Sequence, residues 1–299
     1  MDRPSEDRLE CVPNVSEGRR PEVVARIAAA AASAPGARLL DVSSDPDHNR
    51  SVLTLTGGAE ALHAALLALY GAALAEIDLT RHQGVHPRLG AVDVAPFVPL
   101  GSTPMAAAVA AAERLGREVA ARFALPVYLY EQAARRPGRR LLADIRRGGC
   151  EGLAARIAEP AWAPDFGPAR THPTAGATVI GARFFLIAFN ALLDTADVAV
   201  ARAVARRVRE SGGGLPAVRA MGVYLASRDR AQVSMNLVDF RRTPILAALD
   251  RVRSEAASLG ARVIETEVIG LVPEEAVFGV VRDALQSPGF GAGRVLERA

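Results

Sequence analysis

GARLLDVSSDPDHNRSVLTLTGG, Gly36 to Gly58, reads as two strands joined by a polar loop. Arg38 to Val42 forms the first strand. Ser51 to Thr56 forms the second, with Val52, Thr54 and Thr56 alternating against Leu53 and Leu55, the two-residue period of a pleated strand. The intervening SSDPDHNR is rich in turn residues, and Gly57-Gly58 ends the pair. Working outward, both flanks are helical. Pro21 opens a helix over Glu22 to about Ser33, at a position where its missing N–H costs nothing, and Pro35-Gly36 stops it. Ala59 to Ile77, mostly Ala and Leu, is the second helix. Beyond the helices, Leu9 to Pro13 and Ala91 to Val98 read as strands. The order β-α-β-β-α-β is that of a ferredoxin-like unit, which sets the fold class as α/β (α+β).

Further along come a helix over Pro104 to Phe123, a strand over Val127 to Tyr130, and helical pieces at Leu141 to Arg146 and Leu153 to Ile157. The Pro- and Gly-rich passage Pro160 to Ala177 has no periodicity and serves as the expected domain seam. We therefore expect one subdomain over 1–177 and another over 178–299. In the second, Thr178 to Leu193 reads as one long buried strand and Thr195 to Glu210 as a helix ended by Gly212-Gly213-Gly214. Strands at Val218 to Leu225 and Ala231 to Phe240, a helix at Thr243 to Leu259, a strand at Val263 to Val268 and a helix at Pro273 to Leu285 complete it. The same β-α-β-β-α-β order recurs, and a cleft between two such units is a favoured place for a small ligand.

Composition narrows the function classes. At 299 residues with 36 basic and 33 acidic side chains, the net charge is only +3. Arg135, Arg136, Arg139, Arg140, Arg146 and Arg147 make the densest basic patch, read as a solvated face, with attraction for an anionic small molecule as the sharper alternative. No aromatic interleaving accompanies it, so nucleic acid is not an expected partner. Apolar runs such as Phe184 to Leu193 fall short of the ~20 residues a membrane helix needs. The charged start MDRPSEDR has no apolar leader core, and Cys11 and Cys150 match no disulfide or zinc pattern, so a reducing cytosol is expected. The stretch Ser287 to Ala299 is expected to be loosely ordered.

The chemistry concentrates in RHQGVHPRLGAVDV, Arg81 to Val94, which carries His82 and His86, two of the five histidines, with Arg81, Arg88 and Asp93. The two histidines have the four-residue spacing of helical zinc ligands, but Gly84 and Pro87 argue against a helix, so no metal is expected. The favoured role is acid–base work by an imidazole that the neighbouring Asp93 tunes. Further polar groups gather at strand ends: Asn14, Ser16, Glu17, then Asp41, Asp45, His48, Asn49 and Arg50. Arg183, Asn190, Asn236 and Asp239 lie inside apolar strands, where a polar group must be paired or face a ligand.

These stretches also carry a resemblance. ECVPNVSEG (Glu10 to Gly18), DHNRSV (Asp47 to Val52), HQGVHPRLGAVDVAPFVP (His82 to Pro99), PVYLYEQAAR (Pro126 to Arg135), PDFGP and GARFFLIAFN are similar to glutamate formiminotransferase, the transferase half of formiminotransferase–cyclodeaminase. The resemblance runs over about residues 8 to 275. It implies two α/β subdomains with a folate tunnel between them, a homodimer, and cytoplasmic histidine breakdown. The reaction implied moves the formimino group of N-formimino-L-glutamate to N5 of tetrahydrofolate, the co-substrate. The family's catalytic histidine falls on His86. Its folate segments fall on Gly167 to Gly176, including Pro168, and on about Gly213 to Gly222. Asp41, Asn49, Arg50, Arg88 and Arg183 are the substrate-binding candidates, the arginines because their planar forks suit glutamate carboxylates. The chain departs from its relatives at Ala175, where they carry Trp, and at Pro216-Ala217, where they carry a basic pair. A formyl-transferring relative and a non-catalytic folate-binding module are the alternatives.

Overall fold

In the computed structural model, which describes residues 8–287 and 289–294, a proline breaks the first strand. β1 (Arg8–Cys11) and β2 (Asn14–Val15) are two segments of one line, with Pro13 at the gap. Proline donates no ladder hydrogen bond, but its carbonyl still accepts from Leu53 N at 2.9 Å. The expected strand Leu9 to Pro13 is thus shorter and continues past the break. Met1 to Asp7, Pro288 and Leu296 to Ala299, parts of the two termini read above, lie outside the described residues, as does Val295.

α1 (Pro21–Ala32) starts at Pro21 as expected, and the Glu17 carboxylate accepts from the backbone N–H of Arg19 and Arg20 just ahead of it. β3 (Arg38–Asp45) and β4 (Arg50–Gly58) form the hairpin, with a ladder running to Asp45 opposite Arg50. Ser43, Ser44 and Asp45, read from sequence as loop, therefore belong to the strand, and the turn contracts to 46–49. Asn49 closes it with a left-handed φ of 46°, a conformation Asn tolerates. α2 (Ala59–Glu76), β5 (Val92–Pro99), α3 (Met105–Phe123) and β6 (Val127–Glu131) follow, then short helices α4 (Leu142–Ile145) and α5 (Gly149–Arg156), and β7 (Thr178–Ala182).

The broken first strand lies between β4 and β5, both antiparallel to it, and β3 lies outside β4. That is the 4-1-3-2 order of a ferredoxin-like sheet. It is extended by β7, parallel to both β5 and β6. Alternation sends Leu9, Cys11, Leu53, Leu55 and Phe97 to the face covered by α1, α2 and α3. Val94, Tyr128, Tyr130 and Val179 go to the other face, where α4 and α5 contribute Ile145 and Leu153. The second face carries the polar site.

Thr178 to Leu193, expected to be one strand opening the second half, is two. β7 ends at Ala182 in the first sheet, and β8 (Ile187–Leu193) starts another. The compact units divide between Arg183 and Phe184, one strand beyond the expected seam. The Pro-rich passage is internal to the first unit, because Phe166 pairs with Val127 and Gly176 pairs with Gly90.

The second unit contains β8, α6 (Val198–Val208), β9 (Val218–Leu225), β10 (Arg230–Leu237), α7 (Ile245–Ala257), β11 (Val263–Ile269) and α8 (Glu274–Leu285). Its antiparallel sheet runs β11-β8-β10-β9, again 4-1-3-2. One face of that sheet packs Phe189, Leu193, Val233 and Met235 against Val204, Val208 and Val252 of α6 and α7. Among the described residues no helix is long and apolar enough to cross a membrane.

Candidate active site

The site grows from three pieces of chain: the hairpin turn 45–50, the loop 82–90, and α4 with the residue after it. The first two are interlocked. Asn49 Nδ2 donates to Gln83 O at 3.0 Å, Val85 N donates to Asp47 O at 3.1 Å, and His82 Nε2 donates to Asn49 O at 2.9 Å. Gly84 rests so close to His48 O that any side chain there would collide with it. Asn49 Oδ1 also accepts from Gly18 N at 2.9 Å.

At the base lies Asp93, with 0% of its side chain exposed. It accepts from Arg50 Nη1 at 2.7 Å, from Leu89 N at 2.8 Å, and from Arg146 Nη2. Burial alone would raise its pKa, but Arg146, Arg50 and the Leu89 N–H outweigh it and hold the carboxyl well below the usual range. Burial draws Arg50 down to about 10 against the pull of Asp93, so it stays charged at neutral pH. Two cations on one anion leave a net positive charge.

His86 sits half-buried above this group. Its Nδ1 lies 2.7 Å from Pro87 O, an acceptor only, so Nδ1 carries the proton and Nε2 holds the lone pair. Burial, then Arg50 and Arg146, push its pKa well below 6.5, with Asp93 opposing. The expectation that Asp93 tunes the imidazole needs correction on this point. Asp93 makes no hydrogen bond to His86 and acts on it only as a charge, and the arginines it gathers prevail. The result is a neutral imidazole with an open Nε2, the state of a general base.

His48 is the second imidazole of the site. Its ring centroid is 5.9 Å from that of His86, at 63° between planes. Asp45 takes its Nδ1 at 2.7 Å and its backbone N–H at 2.8 Å. His82 is a strut: its Nε2–H holds Asn49 O, its Nδ1 is sealed without a partner, and burial lowers its pKa.

The other sequence candidates divide. Arg50 is part of the site. Asn49 is committed to Gly18 and Gln83, a bracing role. Asp41 lies opposite Thr54 on the open side of the hairpin and accepts from Ser43 Oγ at 3.0 Å. Arg88 Nη2 donates to His82 O at 3.3 Å and Glu151 at 3.0 Å, bracing the loop from beneath. Arg183 lies apart from the His86 group, beside Tyr130 and Glu10, at the far end of the parallel strands.

The glycines expected to touch folate each have a reason internal to the fold. Gly167 (φ 87°) and Gly176 (φ 67°) are left-handed and press on Leu125 O and Leu89 O. Pro168 follows Gly167 in the loop that leads to Gly176. Gly222 abuts the α6 backbone at Arg202, leaving no room there for a side chain. Gly213 (φ 80°) faces open space. The segment 172–177 does flank the His86 loop, with Leu79 N donating to Thr174 O at 2.8 Å and Ala177 N to Leu89 O at 3.0 Å.

Sequence reasoning missed Arg146, which it placed on a solvated face. That patch is not uniform: Arg146 is buried on Asp93, and Arg139 is buried on Asp165 at 2.8 Å. The available signal was Asp93 itself, a carboxylate in an apolar strand that needs cationic partners.

Two ferredoxin-like units, the first carrying a histidine over an Arg–Asp–Arg cluster, offer a site suited to acid–base chemistry. The formiminotransferase domain, N-terminal subdomain, matches residues 8–183, and the formiminotransferase domain matches 188–284. The chain is 45% identical over 292 residues to glutamate formimidoyltransferase of Thermoplasma acidophilum, covering 97% of this chain and 96% of that one. It is 42% identical over 282 residues to the Streptococcus pyogenes serotype M1 protein of that name, covering 94% of each. It is 43% identical over 276 residues to the formimidoyltransferase-cyclodeaminase of Sus scrofa, covering 90% of this chain and 51% of that protein. The chain belongs to the formiminotransferase family.

Proposed function

We propose that the protein is a glutamate formimidoyltransferase, moving the formimino group of N-formimino-L-glutamate to N5 of tetrahydrofolate, with His86 as the base. The observation that carries this reading is the His86 imidazole, kept neutral by burial and two arginines, its Nδ1–H fixed on Pro87 O. N5 attacks the formimino carbon and must shed its proton, and a neutral Nε2 at the edge of the site takes it. A positioned base of this kind contributes on the order of 10² to 10⁴ in rate. The surplus charge of Arg50 and Arg146 over Asp93 suits a donor with two carboxylates, and the loop 167–176 beside the His86 loop suits the acceptor. Cytoplasmic action on free folate as a homodimer accords with the family resemblance.

The test is a steady-state assay with tetrahydrofolate and either N-formiminoglutamate or N-formylglutamate, read by folate absorbance. Turnover of the formimino donor, lost by about 10² or more in His86→Gln, is the expected result. Turnover of the formyl donor alone would move the reading to the formyl-transferring relative. Folate binding with neither turnover would leave only a binding module.

A further inference from the structure

His86 accounts for one proton. The reaction moves two: N5 loses one, and the departing glutamate nitrogen gains one. We propose that His48 is the second catalytic residue, the acid that protonates the glutamate nitrogen as it leaves, with Asp45 as its positioning residue. The inference rests on the reading of the enzyme as a formimidoyltransferase.

The geometry carries it. The two rings are 5.9 Å apart, centroid to centroid, at 63° between planes. Their hydrogen bonding is parallel: each commits Nδ1 to a fixed oxygen, Pro87 O for His86 and Asp45 Oδ2 for His48. Each leaves Nε2 without a protein partner among the described residues, and neither Nε2 is sealed from solvent. Only the chemistry of the anchoring oxygen differs. A peptide carbonyl fixes the tautomer and adds no charge, which suits a base. A carboxylate supplies the counter-charge that an imidazolium needs, which suits an acid. The backbone sets the distance between the rings, through the contact of Gly84 with His48 O and the hydrogen bond from Val85 N to Asp47 O. At 7% exposure, His48 is buried, with its ring edge-on to that of His86.

The step balances. N5 forms its bond to the formimino carbon and passes its proton to His86 Nε2. The bond from that carbon to the glutamate nitrogen breaks, its electron pair stays on nitrogen, and His48 Nε2 supplies the proton. His86 then carries one proton more and His48 one fewer. Transfer between them, directly or through solvent, restores both.

The test compares His48→Gln, Asp45→Asn and His86→Gln, with folding checked by circular dichroism. Each is assayed for kcat and for the ¹⁵N kinetic isotope effect at the glutamate nitrogen. Loss of the acid makes departure of that nitrogen rate-limiting. His48→Gln should lower kcat by about 10² or more with tetrahydrofolate KM near the parent value, and raise the isotope effect. Asp45→Asn, which leaves the imidazole in place, should move both in the same direction by less. His86→Gln should lower kcat without raising the isotope effect. A folded His48→Gln enzyme within about threefold of the parent, or one slowed with an unchanged isotope effect, overturns the proposal. A parent enzyme that transfers no formimino group defeats the functional reading instead.

Discussion

The proposed base, His86, can take a proton only while Nε2 is unprotonated, and its surroundings favour that state by burial and by the nearby charges of Arg50 and Arg146. The folded pKa lies well below 6.5, so kcat/KM should hold level as pH falls through 6.5 and decline only at lower pH. Arg146→Gln removes a like charge, favours the imidazolium, and should move that acid limb to higher pH. A pH profile of the two enzymes checks both statements. Asp93 has the opposite sign. Its folded pKa is depressed, so its stabilisation is complete above the unfolded value of about 4 and drains away as pH falls below it. Asp93→Asn leaves two buried guanidiniums without their anion and should cost about 3–5 kcal/mol at neutral pH, measured by urea unfolding.

At the scale of the element, the site depends on two loops held in register. Gly84→Ala would drive a methyl group into His48 O and part the loops while leaving both sheets intact. It should lower kcat by about tenfold or more, with far-UV circular dichroism unchanged and the thermal midpoint down by only a few degrees. These contacts also mark how far the sequence could be read. Alternation in Ser51 to Thr56 and the Ala-rich helices disclosed both ferredoxin-like units, because a local period reports which face is buried. The loop carrying His82 and His86 stood out from its setting of Gly and Pro between two apolar elements, while the choice of His86 came from the family resemblance. Arg146 was not, because its partner Asp93 is remote in the chain, and a local run of arginines looks alike whether solvated or buried. The division of Thr178 to Leu193 was hidden for a related reason. An apolar run records burial but not which sheet buries it, and β7 joins β5 and β6 in the first sheet while β8 begins the second.

For the whole molecule, each unit owns a complete 4-1-3-2 sheet and a hydrophobic core of its own, over residues 1–183 and 184–299. A closed core and a finished sheet are the requirements for independent folding. Each fragment, expressed alone, should therefore unfold cooperatively in urea. The groups that set the ionisation of His86, namely Arg50, Arg146, Asp93 and His48, all belong to the first. An NMR titration of fragment 1–183 should accordingly show His86 still titrating well below 6.5. A normal His86 pKa in a folded fragment would mean that the charges within the first unit do not account for its base.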